Sequence, residues 1–176
     1  MAAGTNGAMT IRLDRLSDTA SSTDAAAGEA HHMALALSEA RAAFERGEVP
    51  VGAVLAAADG QVLARDGNRT VELHDATAHA EMLVLRQAAR KLGNGRLTGS
   101  VLFVTLEPCA MCAGAASLCR VARLVFAAQD PKGGAVLHGP RFFEQPTCNH
   151  RPAVAWGPCA EESVALLRSF FVARRA

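Results

Sequence analysis

The sequence predicts an α/β fold in which helices cover both faces of one sheet. Short apolar runs of strand length alternate with helical segments along most of the chain. Most of these runs are continuously apolar, which is typical of strands that are buried on both faces. The chain has 176 residues, half of them apolar, so it is long enough to form one domain with a substantial core.

The N-terminal segment differs from the rest in composition. Residues 1–29 are rich in Ala, Ser, Thr, Gly and Asp and show no sustained apolar period, so we predict a flexible leader. The segment lacks the apolar stretch of a secretory signal, and its acidic residues argue against a mitochondrial presequence. We expect the folded domain to span residues 30–176.

The first elements of this domain are a helix and a hairpin. Apolar side chains recur among alanines and charges over residues 31–46, and Gly47 ends the predicted helix. Two strands are predicted over residues 51–58 and 61–65. They flank Asp59-Gly60, a strong short-range hairpin signal, so we expect them to pair antiparallel.

The middle of the chain alternates between helix and strand. Residues 78–92 have a helical pattern that Gly93 closes, and residues 101–105 form a short apolar run typical of a buried strand. The next helix, over residues 109–120, begins just after Pro108. Proline suits a helix entry because its missing N–H has no partner to lose there.

The last part repeats this alternation around a long connection. Residues 123–127 predict another buried strand, and residues 128–150 form a long loop with several glycines and prolines. A fifth strand over residues 153–156 precedes a final amphipathic helix over residues 160–174. Since helices connect most of the later strands, we expect those strands to be mostly parallel.

Charge, cysteine content and hydropathy limit the function classes. A net charge of +1 is small for a nucleic-acid binder, so any basic surface has to come from clustering. Five cysteines make no even disulfide framework, and a reducing cytoplasm is the simplest setting. The longest apolar run, residues 49–58, is ten residues long and too short to span a bilayer.

Two short motifs carry the chemistry: His79-Ala80-Glu81 and Pro108-Cys109-Ala110-Met111-Cys112. Together they offer one imidazole, two thiolates and one spare carboxylate. Four ligands close a structural zinc site, whereas a catalytic zinc keeps its fourth position open for water. A carboxylate two residues after the histidine can shuttle protons for that water. The pattern therefore indicates hydrolysis at an electrophilic carbon.

The predicted elements allow these ligands to meet. Cys109 and Cys112 lie three residues apart at a helix start, so their side chains point in the same direction. A helix N-terminus lowers a thiol pKa and favours the thiolate. His79 also opens a helix, so it can face the same pocket. Cys119 lies two turns beyond Cys112, about 10 Å along the axis, and is too far away to share the metal.

Simpler interpretations exist for each motif alone. A Cys-x-x-Cys is also found as a redox pair or as two buried apolar residues, and a single histidine near a helix start is often a core residue or a cap. A redox pair has no use for His79 and Glu81, so the joint pattern favours the metal site. Four residues remain possible as a fourth ligand, although core or loop roles fit them better: Cys148, Cys159, His74 and His150.

These motifs and their flanking blocks resemble the zinc-dependent nucleoside and base deaminases, and within that superfamily the bacterial tRNA adenosine deaminases. The similarity covers roughly residues 31–175. It is carried by Glu48-Val49-Pro50-Val51-Gly52-Ala53-Val54-Leu55, Asn68-Arg69, His74-Asp75, Thr77-Ala78-His79-Ala80-Glu81 and Thr105-Leu106-Glu107-Pro108-Cys109-Ala110-Met111-Cys112-Ala113-Gly114-Ala115.

The resemblance implies a fold, a cofactor and a reaction. The fold is a three-layer α/β/α cytidine-deaminase-like architecture with a five-stranded mixed sheet. The cofactor is one Zn²⁺ per subunit, held by His79, Cys109 and Cys112. The reaction is the hydrolytic deamination of adenosine to inosine at the wobble position of the tRNA anticodon, by zinc-activated water with Glu81 as proton shuttle.

The resemblance also implies substrate contacts. Asn68 corresponds to a purine-binding asparagine, and the backbone N–H of Ala80 helps to hold the reacting base edge. Asp130 and Lys132 match a loop that contacts anticodon nucleotides. Further RNA contacts are predicted for Lys132, Arg151, Arg174 and Arg175 on phosphates, with ordinary solvent-exposed charge as the alternative, and for Phe170 or Phe171 on a base.

The expected partners follow from the same relatives. We predict a cytoplasmic homodimer that pairs through the helices bearing the zinc ligands, acts on the anticodon stem-loop, and has no DNA or membrane partner. The alternatives are a small-molecule deaminase of guanine or another free base, and a non-catalytic zinc module. The chain departs from the family over residues 117–120 and 135–143, which affects the expected RNA contacts and subunit interface.

Overall fold

The computed structural model describes the backbone of residues 18–175 and the side chains of residues 26–175. In this part of the chain, four α-helices, five strands and one 3₁₀ turn follow one another. In chain order they are α1 (Asp18–Glu45), β1 (Gly52–Ala56), β2 (Val62–Gly67), α2 (Ala80–Leu92), β3 (Val101–Leu106), α3 (Ala110–Leu118), β4 (Arg123–Ala128), the 3₁₀ turn Phe142–Glu144, β5 (Ala153–Trp156) and α4 (Ala160–Ala173).

The described strands form one sheet in the order β2-β1-β3-β4-β5. β1 pairs antiparallel with β2 and with β3, whereas the β3–β4 and β4–β5 pairs are parallel. The predicted five-stranded mixed sheet is therefore confirmed, as are the antiparallel hairpin and the mostly parallel remainder. Leu106 and Ala128 are partners in the register of β3 with β4, so these two strands end level with each other.

Helices cover both faces of the sheet. Alternate strand residues such as Val104 and Leu124 pack with α2 and α3 in the larger core cluster, and Val84 of α2 is completely buried there. The intervening residues, such as Phe103, pack with Met33 of α1 in a second cluster. α4 contacts β4 and lies beside α1. Strands with two buried faces explain the continuous apolar runs in the sequence.

The N-terminal helix is longer than the sequence pattern predicts. α1 begins at Asp18, inside the segment 1–29 that is predicted as a flexible leader, whereas residues 1–17 lie outside the described part of the chain. The division into a leader and a domain of residues 30–176 stays a prediction. No helix among the described residues has the length and apolar character needed to cross a membrane.

A glycine allows α1 to approach the sheet closely. A Cβ added at Gly52 of β1 would lie 2.0 Å from the carbonyl oxygen of Ala36 and 2.5 Å from the backbone nitrogen of Ala40. Both contacts are to helix backbone, which cannot move aside without displacing α1 from the sheet. The packing of α1 on β1 thus depends on the missing side chain of Gly52.

Replacing this glycine is expected to destabilise the protein. The substitution Gly52→Ala should lower the free energy of unfolding by about 1–3 kcal/mol, because the added methyl overpacks the helix–sheet contact. The matched control is Gly28→Ala in α1, where an added Cβ meets nothing within 4 Å. That change should be neutral or stabilise by up to about 1 kcal/mol. Equal effects of the two changes in urea unfolding would contradict this packing account.

Candidate active site

The predicted metal ligands converge at one edge of the sheet. The Nδ1 atom of His79 lies 3.7 Å from the Sγ atom of Cys109 and 3.6 Å from that of Cys112. All three candidate ligand atoms lie within 4.8 Å of one another. In the part of the chain that the structure describes, no other group of three His, Cys, Asp or Glu side chains forms such a cluster.

Helix starts place these side chains. His79 is the N-cap residue of α2 and Cys109 that of α3, and both have extended backbone conformations. N-cap side chains commonly accept a hydrogen bond from the first turn, but neither residue makes such a bond. Both side chains face the cluster instead. Cys112 joins Cys109 from the first turn of the same helix.

The cluster fits a zinc ion in its donor chemistry and in its spacing. One imidazole nitrogen and two sulfurs are ligands that zinc prefers. Zinc bonds of about 2.3 Å to sulfur and about 2.1 Å to nitrogen separate the ligand atoms by about 3.6 Å in a tetrahedral site. The observed distances of 3.6 and 3.7 Å agree with this value. The residues present therefore fit a zinc ion, and three ligands would leave one of its four tetrahedral positions for a further ligand.

Cys109 is predisposed to bind as a thiolate. Hydrogen bonds with the Cys112 thiol and with His79 lower the pKa of Cys109 to about 4. The same hydrogen bond to Cys109, together with burial, raises the pKa of the Cys112 thiol. The Cys109 sulfur is thus the more readily ionised of the two, and metal binding requires both sulfurs to be thiolates.

Glu81 lies beside the ligands in the first turn of α2. The residue is only 3% exposed, and burial raises the pKa of its carboxyl group. The carboxyl group also interacts with the Cys112 thiol. A raised pKa makes a carboxyl group a stronger base and allows it to hold a proton that it can later donate, as a general acid–base must.

The ligands and Glu81 open into a pocket of about 300 Å³. Two residues predicted to bind substrate, Asn68 and Asp130, line it together with His79, Glu81 and Cys109. The remaining lining residues are Val49, Val51, Thr70, Leu106, Glu107 and Gly133. The structure therefore brings together the predicted proton shuttle, two of the predicted ligands and two of the predicted substrate contacts.

Asn68 and Ala80 are paired with each other. The Oδ1 atom of Asn68 accepts a hydrogen bond of 2.9 Å from the backbone N–H of Ala80. The N–H of Ala80 therefore already has an acceptor within the protein. To hold the edge of a base as well, it would have to donate to Asn68 and to the base at the same time. The bond also fixes the side chain of Asn68 against the start of α2, so its amide nitrogen has a defined position at the pocket. Their substrate contacts stay predictions.

The other predicted RNA contacts lie outside the pocket lining. Lys132 is exposed, and its backbone N–H donates to Asp130 Oδ1. Arg151 donates to the carbonyl oxygen of Gln145 at 3.4 Å. The guanidinium of Arg174 lies 4.5 Å from the ring centre of Phe170 and donates to the carbonyl oxygen of residue 47.

The two adjacent phenylalanines differ in exposure. Phe170 is 4% exposed, because it packs against Phe44 of α1, whereas Phe171 is 46% exposed. Of this pair, Phe171 is therefore the one whose ring is open to a nucleic acid. The RNA contact assigned to Phe170 stays a prediction, and it would require the ring to leave its packed position.

Two buried carboxylates beside the pocket have no role in the predictions from sequence. Glu48 is 1% exposed and accepts hydrogen bonds from the Thr70 hydroxyl and from the backbone N–H groups of Val71 and Glu72. Burial opposes its ionisation, but these bonds outweigh that effect and lower the pKa of Glu48. Glu48 thus holds the loop that leads towards His79.

Glu107 does the same for a second loop. Its side chain is fully buried and accepts bonds from His138 and from several backbone N–H groups in residues 130–138. These bonds outweigh the effect of burial and lower the pKa of Glu107. One feature of the sequence could have indicated the role of Glu107: it is an acidic residue just after a predicted buried strand. Buried carboxylates are rarely unpaired, so hydrogen-bond partners are expected there.

Comparison with known proteins agrees with this site. A family model, the cytidine and deoxycytidylate deaminase zinc-binding region, matches residues 28–128. A solved structure from a study of A-to-I editing by tRNA:A34 deaminases at the wobble position of transfer RNA is 60% identical in sequence, with a TM-score of 0.76. The match covers 77% of this chain and 98% of that one.

Full-length relatives are similar over nearly their whole length. The tRNA-specific adenosine deaminase of Agrobacterium fabrum (strain C58) is 59% identical over 145 residues, which are 82% of this chain and 95% of that protein. The tRNA-specific adenosine deaminase of Aquifex aeolicus (strain VF5) is 43% identical over 144 residues, or 82% and 94% of the two proteins. The chain therefore belongs to the cytidine and deoxycytidylate deaminase family, within its branch of tRNA-specific adenosine deaminases.

Proposed function

We propose that this protein deaminates adenosine to inosine at the wobble position of a tRNA anticodon. The observation that carries the proposal is the cluster of His79, Cys109 and Cys112 beside the buried carboxyl group of Glu81 in one pocket. The relatives named above support the choice of substrate. A zinc ion on the three ligands would supply Lewis-acid activation of a water molecule, bringing its pKa close to neutrality.

Glu81 moves the protons in this proposal. The oxygen of the water adds to C6 of adenine, and Glu81 takes one proton of the water and passes it to N1. Glu81 then transfers the second proton to the amino group, the C6–N6 bond breaks, and ammonia leaves. One water is consumed, and one ammonia and one inosine are formed. The raised pKa of Glu81 suits this alternation between acid and base.

Other pocket residues orient the nucleotide. We assign Asn68 to the purine, because its side chain is already fixed by the bond to Ala80 and lines the pocket. Asp130 lines the pocket and accepts bonds through Oδ1 from the backbone N–H groups of Lys132 and Gly133, so Oδ2 makes none of the described hydrogen bonds. A sugar hydroxyl of RNA is a suitable donor for such an oxygen.

A wobble nucleotide suits a recessed site. It lies in a single-stranded loop, so turning the base into the pocket costs less than extruding it from a duplex. We place the enzyme in the cytoplasm, where tRNA is available and where free cysteines such as Cys109 and Cys112 stay reduced. We also assign the deaminase domain to residues 30–176 and a leader to residues 1–29.

We further propose a homodimer that pairs through α2 and α3. Leu118 near the end of α3 is 83% exposed, and Leu92 at the end of α2 is 49% exposed. Large exposed apolar side chains of this kind are often covered by a partner. Light scattering at micromolar concentration should give twice the chain mass, and Leu118→Glu should shift the protein towards monomer. A monomeric wild-type protein would contradict the proposed dimer.

The proposed reaction predicts a specific product. The zinc-loaded protein, incubated with an anticodon stem-loop that carries a wobble adenosine, should form inosine in nuclease digests of the RNA. A stem-loop with guanosine at that position, together with free adenine and guanine, serves as control. Absence of inosine despite bound zinc would refute the proposal. Turnover of free guanine with none of the RNA would instead select a small-molecule deaminase.

Two substitutions should separate catalysis from metal binding. Glu81→Gln should keep about one zinc per chain but lower the deamination rate by about 10²–10⁴-fold, because the proton shuttle is lost. Cys112→Ser should lose zinc as well as activity, because a thiolate ligand is removed. Metal analysis and the stem-loop assay measure both properties. A Glu81→Gln protein of wild-type activity would overturn the role of Glu81.

A further inference from the structure

Glu107 connects the metal-binding helix to the pocket wall. The residue directly follows Leu106, the last residue of β3, and comes two positions before Cys109. Glu107 is among the residues that line the pocket, and its buried carboxylate binds the loop of residues 130–138. We propose that Glu107 is the positioning residue that sets the RNA-contacting wall of the pocket through Asp130, which rests on the function proposed above.

One carboxylate oxygen holds the far side of this loop. Glu107 Oε1 accepts backbone hydrogen bonds from Val136 at 3.1 Å, Leu137 at 2.8 Å and His138 at 3.0 Å. Three successive N–H groups that point at a single oxygen form a concave anion site. Only an oxygen with no hydrogen of its own can satisfy three donors at once, so this position requires an acceptor.

The other oxygen holds Asp130 itself. Glu107 Oε2 accepts a bond of 3.1 Å from the backbone N–H of Asp130 and one of 2.6 Å from Nδ1 of His138. The side chain of Asp130 is oriented by its own turn, through the N–H groups of Lys132 and Gly133. Glu107 therefore determines where Asp130 is placed, and the local turn determines how its carboxylate points.

The loop is shaped to admit this carboxylate. A Cβ added at Gly134 would lie 2.5 Å from Cδ of Glu107 and 2.5 Å from the carbonyl oxygen of Asp130. The backbone of the loop thus approaches Glu107 more closely than any side chain allows. In addition, the N–H of Ala135 donates to the carbonyl oxygen of Pro108, the residue between Glu107 and Cys109. The loop is attached to the same short segment that delivers the metal ligand.

His138 adds a side-chain bond to this arrangement. It lies four residues after Gly134, in the part of the loop that follows the close approach to Glu107. Its ring is the one side-chain donor to Glu107 among the described hydrogen bonds, and its backbone N–H also binds Glu107. His138 therefore supplies a second link between the loop and the buried carboxylate.

The test is the substitution Glu107→Gln in the zinc-loaded full chain. Glutamine can offer its oxygen to the three N–H groups only by placing its NH₂ group against the N–H of Asp130. We expect about one zinc per chain, a KM for the stem-loop RNA raised about tenfold or more, and a kcat within about threefold of wild type. Hydrogen exchange should become faster at the amides of residues 130–138.

The matched control is Glu144→Gln, which makes the same chemical change in the same connection. Glu144 is exposed and pairs with Arg141, so this variant should keep the wild-type KM. His138→Leu removes one of the two donors to Oε2 and should raise KM by a smaller factor, about threefold. It also serves as the second test if the Glu107→Gln protein does not fold.

The possible outcomes separate the two proposals. If the wild-type protein forms no inosine on RNA, the proposed function fails and this inference fails with it. If wild type is active and Glu107→Gln speeds loop exchange while KM stays unchanged, Glu107 serves only the fold and the inference is overturned. Loss of zinc from Glu107→Gln or from His138→Leu would also overturn it, because the residue would then act on the metal ligands.

Discussion

β3 and β4 end level, with Leu106 paired to Ala128, and this parallel register determines where the chain leaves the sheet. Just beyond β3 the chain enters α3 and delivers Cys109, and just beyond β4 it delivers Asp130 to the same pocket. α2 begins at the same edge and adds His79 and Glu81. Ligand sites of α/β sheets form at this edge because strand ends and helix N-termini meet there.

Three buried glutamates lie near this edge, and their hydrogen-bond surroundings give them different pKa shifts and therefore different roles. Glu48 and Glu107 each accept several backbone hydrogen bonds, and these bonds lower their pKa despite burial. Glu81 is as deeply buried, but the effect of burial dominates and its pKa is raised. Two carboxylates are thereby kept ionised as fixed anchors, and the third is suited to carry a proton.

Much of the fold and the metal site could be predicted from the sequence, because the signals are local. The Asp59-Gly60 turn, the apolar runs and the spacing of Cys109 and Cys112 can be read without knowledge of distant contacts. The joint pattern of His79-Ala80-Glu81 with the two cysteines indicates the third ligand. The zinc motif alone predicts a hydrolytic reaction with no named substrate. The family resemblance specifies that reaction as the deamination of adenosine in RNA.

What the sequence did not reveal depends on contacts between distant segments. The buried position of Phe170 follows from packing against α1, and the fixed place of Arg174 from its contact with residue 47. Gly52 is needed because a helix backbone passes within reach of its Cα. The role of Glu107 becomes visible only when residues 130–138 fold around it. No periodicity or short motif encodes such long-range pairings.

The central claim is that His79, Cys109 and Cys112 hold a catalytic zinc with one open position. X-ray absorption at the zinc edge of the purified protein tests it most directly. The account predicts two sulfur ligands at about 2.3 Å, one imidazole nitrogen at about 2.0 Å and one further light atom that exchanges with solvent ligands. A fourth cysteine or histidine ligand would indicate a closed structural site and contradict the account.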